Sequence, residues 1–232
     1  MESLRPNAQR AKTAIILIWV VLGIEIFSLV SGLLQFLLIQ DAANGELITE
    51  EAASANDMRE MTIGIIYIIA SVISAITFIQ WFRRAYFNLH QKVSELSYTE
   101  GWAVGSWFVP IISLYRPFQI MKELFVQTKG LLIKNGLDLY KDFNTRNLGW
   151  WWALWIISNF LGQFVFRYSR NAESIDQLTV VTVASMLENL IGVPLALITI
   201  KIIKEYASME VLLLEIKDEE GGNNNTPVTS AF

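Results

Sequence analysis

The chain has 232 residues, of which 53% are hydrophobic and 17% are charged, a balance typical of integral membrane proteins. The absence of cysteine excludes disulfides, thiolate zinc sites and a cysteine nucleophile, and the single histidine, His90, excludes His-Glu-x-x-His metal sites and Ser-His-Asp triads. Because a net charge of −4 provides no overall basic field, we expect no nucleic-acid partner, and we also expect no metal, no cofactor and no enzymatic activity.

Four apolar segments are long enough to cross a membrane as helices. The first, residues 14–39, is about 26 residues long, or roughly 39 Å as a helix. It exceeds the apolar region of a signal peptide, which has about 7 to 15 residues, so we expect it to be retained. Residues 62–82, 148–168 and 178–203 each reach the approximately 20 residues that a span requires. The sequence therefore predicts an all-α integral membrane protein with four transmembrane helices.

The distribution of charge between these segments predicts their orientation. Residues 40–60 are acidic, with Arg59 as the single basic residue, whereas residues 83–147 are rich in lysine and arginine and Lys201 and Lys204 close the fourth span. Lysine and arginine near span ends favour the cytoplasmic side. We therefore expect a multi-pass protein of the inner (plasma) membrane with both termini in the cytoplasm.

The cytoplasmic loop, residues 83–147, contains two further elements. Residues 102–115 form an apolar run interrupted by Pro110, which is too short to span and is predicted to be either re-entrant or interfacial. Residues 117–134 follow as an amphipathic helix. Its apolar stripe is Phe118, Met121, Phe125 and Leu132.

A second stripe continues the fourth span into the cytoplasm and is expected to pack against the amphipathic helix. Its members are Ile202, Tyr206, Met209, Leu213 and Ile216. Residues 219–232 have no periodicity and are predicted to be a disordered tail, whereas residues 1–218 form a single membrane domain.

Three consecutive motifs in the loop resemble one known family. They are Trp81-x-x-Arg84-x-x-x-Asn88, the segment from Gly101 to Pro110, and Tyr115-Arg116-Pro117-Phe118-Gln119. Together they resemble the bacterial membrane family called domain of unknown function 4328. The resemblance implies a multi-span bacterial inner-membrane protein with no agreed activity, so no catalytic residue is assigned.

Polar residues inside the predicted spans form a candidate intramembrane site. Glu25 lies near the middle of the first span and Glu188 near the middle of the fourth, and an intramembrane acid is by default a functional hypothesis. Pro194 lacks a backbone donor and predicts a kink or a hydrated carbonyl nearby. Helical phase places the following residues at comparable depth: Glu25, Tyr67, Ser71, Ser74, Asn159, Gln163, Glu188 and Asn189.

Two interpretations of this polar belt remain open. Small and polar residues can simply hold the helices together, or the acids can bind an ion or a proton. The second interpretation supports an alternative function for the chain, a small proton-linked carrier or channel that uses Glu25 and Glu188.

Our first functional hypothesis concerns the loop instead. It is a non-enzymatic membrane protein that binds membrane lipids, a membrane-protein partner or a second copy of the chain. Arg116 is expected either to bind a lipid phosphate or to staple the apolar run to an acid. The candidate lipid- or partner-binding residues are Arg83, Arg84, Asn88, Trp102, Trp107 and Arg116.

Overall fold

The computed structural model describes residues 4–137 and 146–215, which form helices and turns and contain no strand. The helices in chain order are α1 (Ala8–Ala43), α2 (Glu50–His90), α3 (Trp102–Gly105), α4 (Arg116–Lys134), α5 (Arg146–Ser169) and α6 (Ile175–Glu215). A 3-10 turn, Ile112–Leu114, lies between α3 and α4. The predicted all-α class is confirmed, and each predicted apolar segment lies within one helix. The predicted disordered tail lies outside the described residues.

Three of these helices, α1, α2 and α6, are long and apolar enough to cross a membrane. Many of their apolar side chains remain exposed, as expected of a surface that faces lipid. The helix at the predicted third span, α5, has 24 residues, but Asn159, Gln163 and its tryptophans lower its mean hydropathy. It is therefore not among the three.

The helices continue well past the apolar segments that identified them. At the start of α2, the Thr49 hydroxyl accepts a hydrogen bond from the backbone N–H of Ala52 at 3.2 Å, which caps the helix. At the other end of the chain, α6 runs through Pro194 without interruption. Hydropathy marks only the part of each helix that suits hydrocarbon, so it underestimates helix length.

The packing order of the long helices creates a space on one side of the bundle. In the middle, α1 packs extensively on α6, while α2 packs on α1 and α5 packs on α6. Because α2 packs on α1 and α5 packs on α6, the helices α2 and α5 share few close contacts. A gap therefore remains between α2 and α5, over the paired surfaces of α1 and α6.

At the end of the bundle where α1 begins and α2 ends, α4 covers the extension of α6 as the two apolar stripes predict. The rings of Phe125 and Tyr206 lie 5.3 Å apart in an edge-to-face arrangement, and the hydroxyl groups of Thr128 and Tyr206 are 3.4 Å apart. Met121, Phe125, Leu132, Tyr206 and Met209 all belong to the buried core. The predicted packing is confirmed, except that Ile216 lies outside the described residues.

The apolar run at residues 102–115 folds as α3, a tight turn and the 3-10 turn. Ile111 has a φ of 67°, a left-handed conformation that is strained for a β-branched side chain. The indole N–H of Trp152 donates to the carbonyl of Leu114 at 2.9 Å and ties the segment to α5. Phe108 and Ile111 are 72% and 75% exposed at its tip.

Candidate functional site

A cavity of about 680 Å³ lies between α1, α2, α5 and α6. It occupies the gap between α2 and α5, and its volume is in the range of about 300 to 1,000 Å³ that small-molecule sites usually have. The helices bring together most of the polar residues that helical phase selected: Glu25, Tyr67, Ser71, Ser74, Asn159, Gln163 and Glu188 line this cavity. Asn189 is half-buried and lies outside the lining.

The two acids and one tyrosine form the electrostatic centre of the cavity. Glu25 is only 5% exposed, and its carboxyl group lies close enough to the hydroxyl of Tyr67 for the two groups to interact. Glu188 is close enough for its charge to act on both Glu25 and Tyr67. Among the described residues, Oε2 of Glu25 has no hydrogen-bond partner. The centre therefore holds a buried acceptor that lacks a donor.

Two glycines make room for these carboxyl groups. A Cβ added to Gly162 of α5 would lie 2.6 Å from Oε1 of Glu188, and a Cβ added to Gly192 of α6 would overlap the carboxyl group of Glu25. Each carboxyl group thus sits on bare backbone of the neighbouring helix. The spacing of the polar residues in the sequence gave no sign of this fit.

The cavity is closed at one end by an aromatic cluster, within which Trp107 lies between α2 and α5. Its ring centroid is 5.8 Å from that of Phe78 and 5.6 Å from that of Trp155, and its indole N–H donates to the carbonyl of Ala103 at 3.1 Å. Trp107 was predicted to bind lipid or a partner. The structure places it in the cavity wall, and the binding role stays a prediction.

Arg116 and Trp102, two other predicted binding residues, contact each other. The guanidinium of Arg116 stacks over the rings of Tyr98 at 4.5 Å, Trp102 at 5.0 Å and Tyr115 at 5.8 Å, an aromatic cage typical of cation–π contacts. The contacts that hold this guanidinium are therefore aromatic rings, and the cage fixes the apolar run against the start of α4.

Arg83 and Arg84, the remaining predicted binding residues, lie near the C-terminal end of α2. Arg83 is exposed and its Nε lies 2.8 Å from Oε1 of Glu100, an ion pair that solvent weakens. Arg84 is half-buried, and its charge interacts with those of Arg5 and Arg10. Arg5, Arg10 and Arg84 together form a basic patch beside the start of α1 and the end of α2.

Asn88, also predicted to bind lipid or a partner, is instead an internal clamp with 1% of its surface exposed. Its side-chain amide donates to Oε1 of Glu210 at 2.7 Å and to the carbonyl of Arg5 at 2.9 Å, and its side-chain carbonyl accepts from the N–H of Arg5 at 3.0 Å. The hydrogen-bonding groups of Asn88 are thus engaged inside the protein, and its predicted binding of lipid or a partner stays a prediction.

Glu210 is the centre of this clamp and was missed by sequence reasoning. Asn7 donates to its Oε2 at 3.0 Å and to the carbonyl of Trp81 at 3.3 Å, and the charge of Arg84 acts on it. The motif positions Trp81, Arg84 and Asn88 thus meet around one buried carboxylate. The sequence feature that could have identified Glu210 is an acidic residue next to Met209, within the apolar stripe of α6.

Comparison with known proteins gives one match. A family model described as Domain of unknown function (DUF4328) matches residues 44–208. No curated protein and no solved structure matches the chain. The matched residues include Trp81, Arg84, Asn88 and Glu188, whereas Glu25 and Glu210 lie outside them.

Replacing the clamp residue tests its structural role. Asn88→Ala should lower the free energy of unfolding by about 1 to 3 kcal/mol, because it leaves the buried Glu210 carboxylate and the Arg5 backbone with fewer partners. The measurement is reversible unfolding in a denaturing detergent. The matched control, Asn44→Ala at an exposed position after α1, should change the unfolding free energy by less than about 0.5 kcal/mol. Equal stability of the two variants would show that Asn88 does not clamp the helices.

Proposed function

The chain belongs to the domain of unknown function 4328 family, and we propose that it is a small, non-enzymatic, proton-linked carrier that binds a cation between α1, α2, α5 and α6. One observation carries the proposal: Glu25 and Glu188 converge in one cavity beside Tyr67. Polar residues that only hold helices together would be expected to form hydrogen bonds with one another in a dry interface. Here they surround open space.

The charges of the cavity support a cationic ligand. Its described lining contains two carboxyl groups and no lysine, arginine or histidine. A proton and a cation compete for the same carboxylate oxygens, so binding of a monovalent cation to a protonated carboxyl group releases one proton. Ionisable residues inside membrane proteins commonly mark such ion and proton pathways.

The proposal includes four membrane crossings in the inner membrane, with both termini in the cytoplasm. To the three apolar helices it adds α5, which packs on α6 and supplies one wall of the cavity through Trp155, Asn159 and Gln163. A wall helix that lines the same cavity as three spans has to lie at the same depth. The acidic loop before α2 and the basic loop after it then follow the usual charge asymmetry.

A second candidate function, binding of membrane lipids, is favoured by the tip of the apolar run. Phe108 and Ile111 project at this tip beside Pro110, and Arg10 and Arg84 belong to a basic patch on the same end of the bundle. Apolar tips next to arginines suit the boundary between anionic headgroups and acyl chains. We propose that the run is interfacial and anchors the cytoplasmic end.

Single-cysteine variants test the topology and the tip together, because the chain has no cysteine of its own. In spheroplasts, Leu47→Cys should react with a membrane-impermeant maleimide from outside, and Asn135→Cys should react only after lysis. After lysis, Ile111→Cys should react at least about tenfold more slowly than Asn135→Cys, because lipid covers the tip. Leu47→Cys and Asn135→Cys labelled from the same side would contradict four crossings, and equal rates at positions 111 and 135 would contradict an interfacial tip.

Proton flux tests the carrier. In proteoliposomes with an imposed Na⁺ or K⁺ gradient, the wild-type chain should raise proton flux above that of empty vesicles, and Glu25→Gln or Glu188→Gln should reduce this flux at least about tenfold, the equivalent of about 1.4 kcal/mol. Glu173→Gln, an exposed acid between α5 and α6, is the matched control and should leave flux unchanged. No flux above empty vesicles, or undiminished flux in both cavity variants, would overturn the proposal.

A further inference from the structure

The cavity has two chemically different ends, and their arrangement indicates what kind of cation it takes. Glu25, Tyr67 and Glu188 form one end, and Phe78, Trp107, Trp151 and Trp155 form the other. Resting on the carrier function proposed above, we propose that the ligand is a lipophilic amine: a protonated nitrogen held by the two carboxyl groups, with an aromatic or branched apolar body against the tryptophans.

The acidic end requires a hydrogen-bond donor. Glu25 is 5% exposed, lines the cavity, and has one carboxyl oxygen without a partner among the described residues. A buried acceptor left without a donor is costly. An ammonium group supplies both a positive charge and several N–H donors, so it can donate to the carboxyl group of Glu25 while it neutralises the repulsion between Glu25 and Glu188.

The aromatic end requires an apolar body. An inorganic cation would leave the faces and edges of Phe78, Trp107 and Trp155 in contact with empty or water-filled space. The volume of about 680 Å³ exceeds what a small hydrated ion needs and suits a molecule with one or two rings. Aromatic faces also attract a nearby cation, so the two ends reinforce each other.

The route to the cavity follows from the packing order. Since α2 and α5 flank the cavity and share few close contacts, the described bundle is most open on the side that faces lipid. The two helices meet through the Phe78 and Trp151 rings, 6.2 Å apart, near the cytoplasmic end. A lipophilic amine concentrates in the bilayer and can enter from there.

Titration calorimetry of the full chain in nanodiscs tests the ligand class, with empty nanodiscs as the blank for lipid partitioning. The probes are phenylbutylamine, its neutral analogue phenylbutanol, its anionic analogue phenylbutyrate, and methylamine, which has the charge without the body. Phenylbutylamine should bind saturably, and the other three should bind at least about tenfold more weakly.

Variants tie that binding to the two ends. Glu25→Gln and Glu188→Gln should each raise the Kd of phenylbutylamine at least about tenfold, with Glu173→Gln unchanged. Gly192→Ala, which displaces the Glu25 carboxyl group, should also weaken binding, whereas Gly23→Ala, whose added Cβ meets nothing within 4 Å, should not. The probe series on the wild-type chain needs no variant, so the test stands even where a variant fails to fold.

The outcomes separate this inference from the carrier function. Equal binding of phenylbutylamine and phenylbutanol would overturn the role of charge. Equal binding of methylamine and phenylbutylamine would overturn the need for an apolar body. Absence of binding by every probe, together with proton flux that depends on Glu25, would overturn the amine and leave the carrier intact, whereas absence of both would overturn both.

Discussion

The carboxyl groups of Glu25 and Glu188 lie directly on the backbone of neighbouring helices, at Gly192 and Gly162, and the order of the bundle depends on this fit. A side chain at either glycine would collide with the carboxyl group and displace it from this position. The close approach joins α1 to α6 and α6 to α5, which leaves α2 and α5 separated by the cavity. The same contacts that hold the bundle together therefore create its open space.

Another buried carboxyl group fixes the end of the bundle where α1 begins and α2 ends. Glu210 accepts hydrogen bonds from Asn7 and Asn88. These bonds join the start of α1 and the end of α2 to the extension of α6. The aromatic cluster around Trp107 lies next to this clamp. The motif that carries the family resemblance thus stabilises one end of the molecule, whereas the candidate chemistry lies in the middle of the helices.

Much of this arrangement follows from sequence. Apolar length predicted the four long helices, and helical phase selected Glu25, Gln163 and Glu188, because a polar face on an apolar helix must turn toward a partner or a cavity. Contacts between side chains that are far apart in the sequence could not be predicted in the same way. Asn88 was assigned to lipid or partner binding, because nothing near it in the chain indicates that it shares Glu210 with Asn7. For the same reason, Arg116 was expected to meet a phosphate or an acid, and it meets aromatic rings.

The central claim, that two acids share one cation-selective cavity, is tested most directly by the charge preference of a thiol placed inside it. Ser71→Cys should react with a cationic methanethiosulfonate at least about tenfold faster than with its anionic analogue, and the preference should vanish when Glu25 and Glu188 are both replaced by glutamine. Ile69→Cys, which is 55% exposed on the outer face of α2, provides the matched control and should show no preference. Equal rates at position 71, or a preference that survives the loss of both acids, would contradict the account.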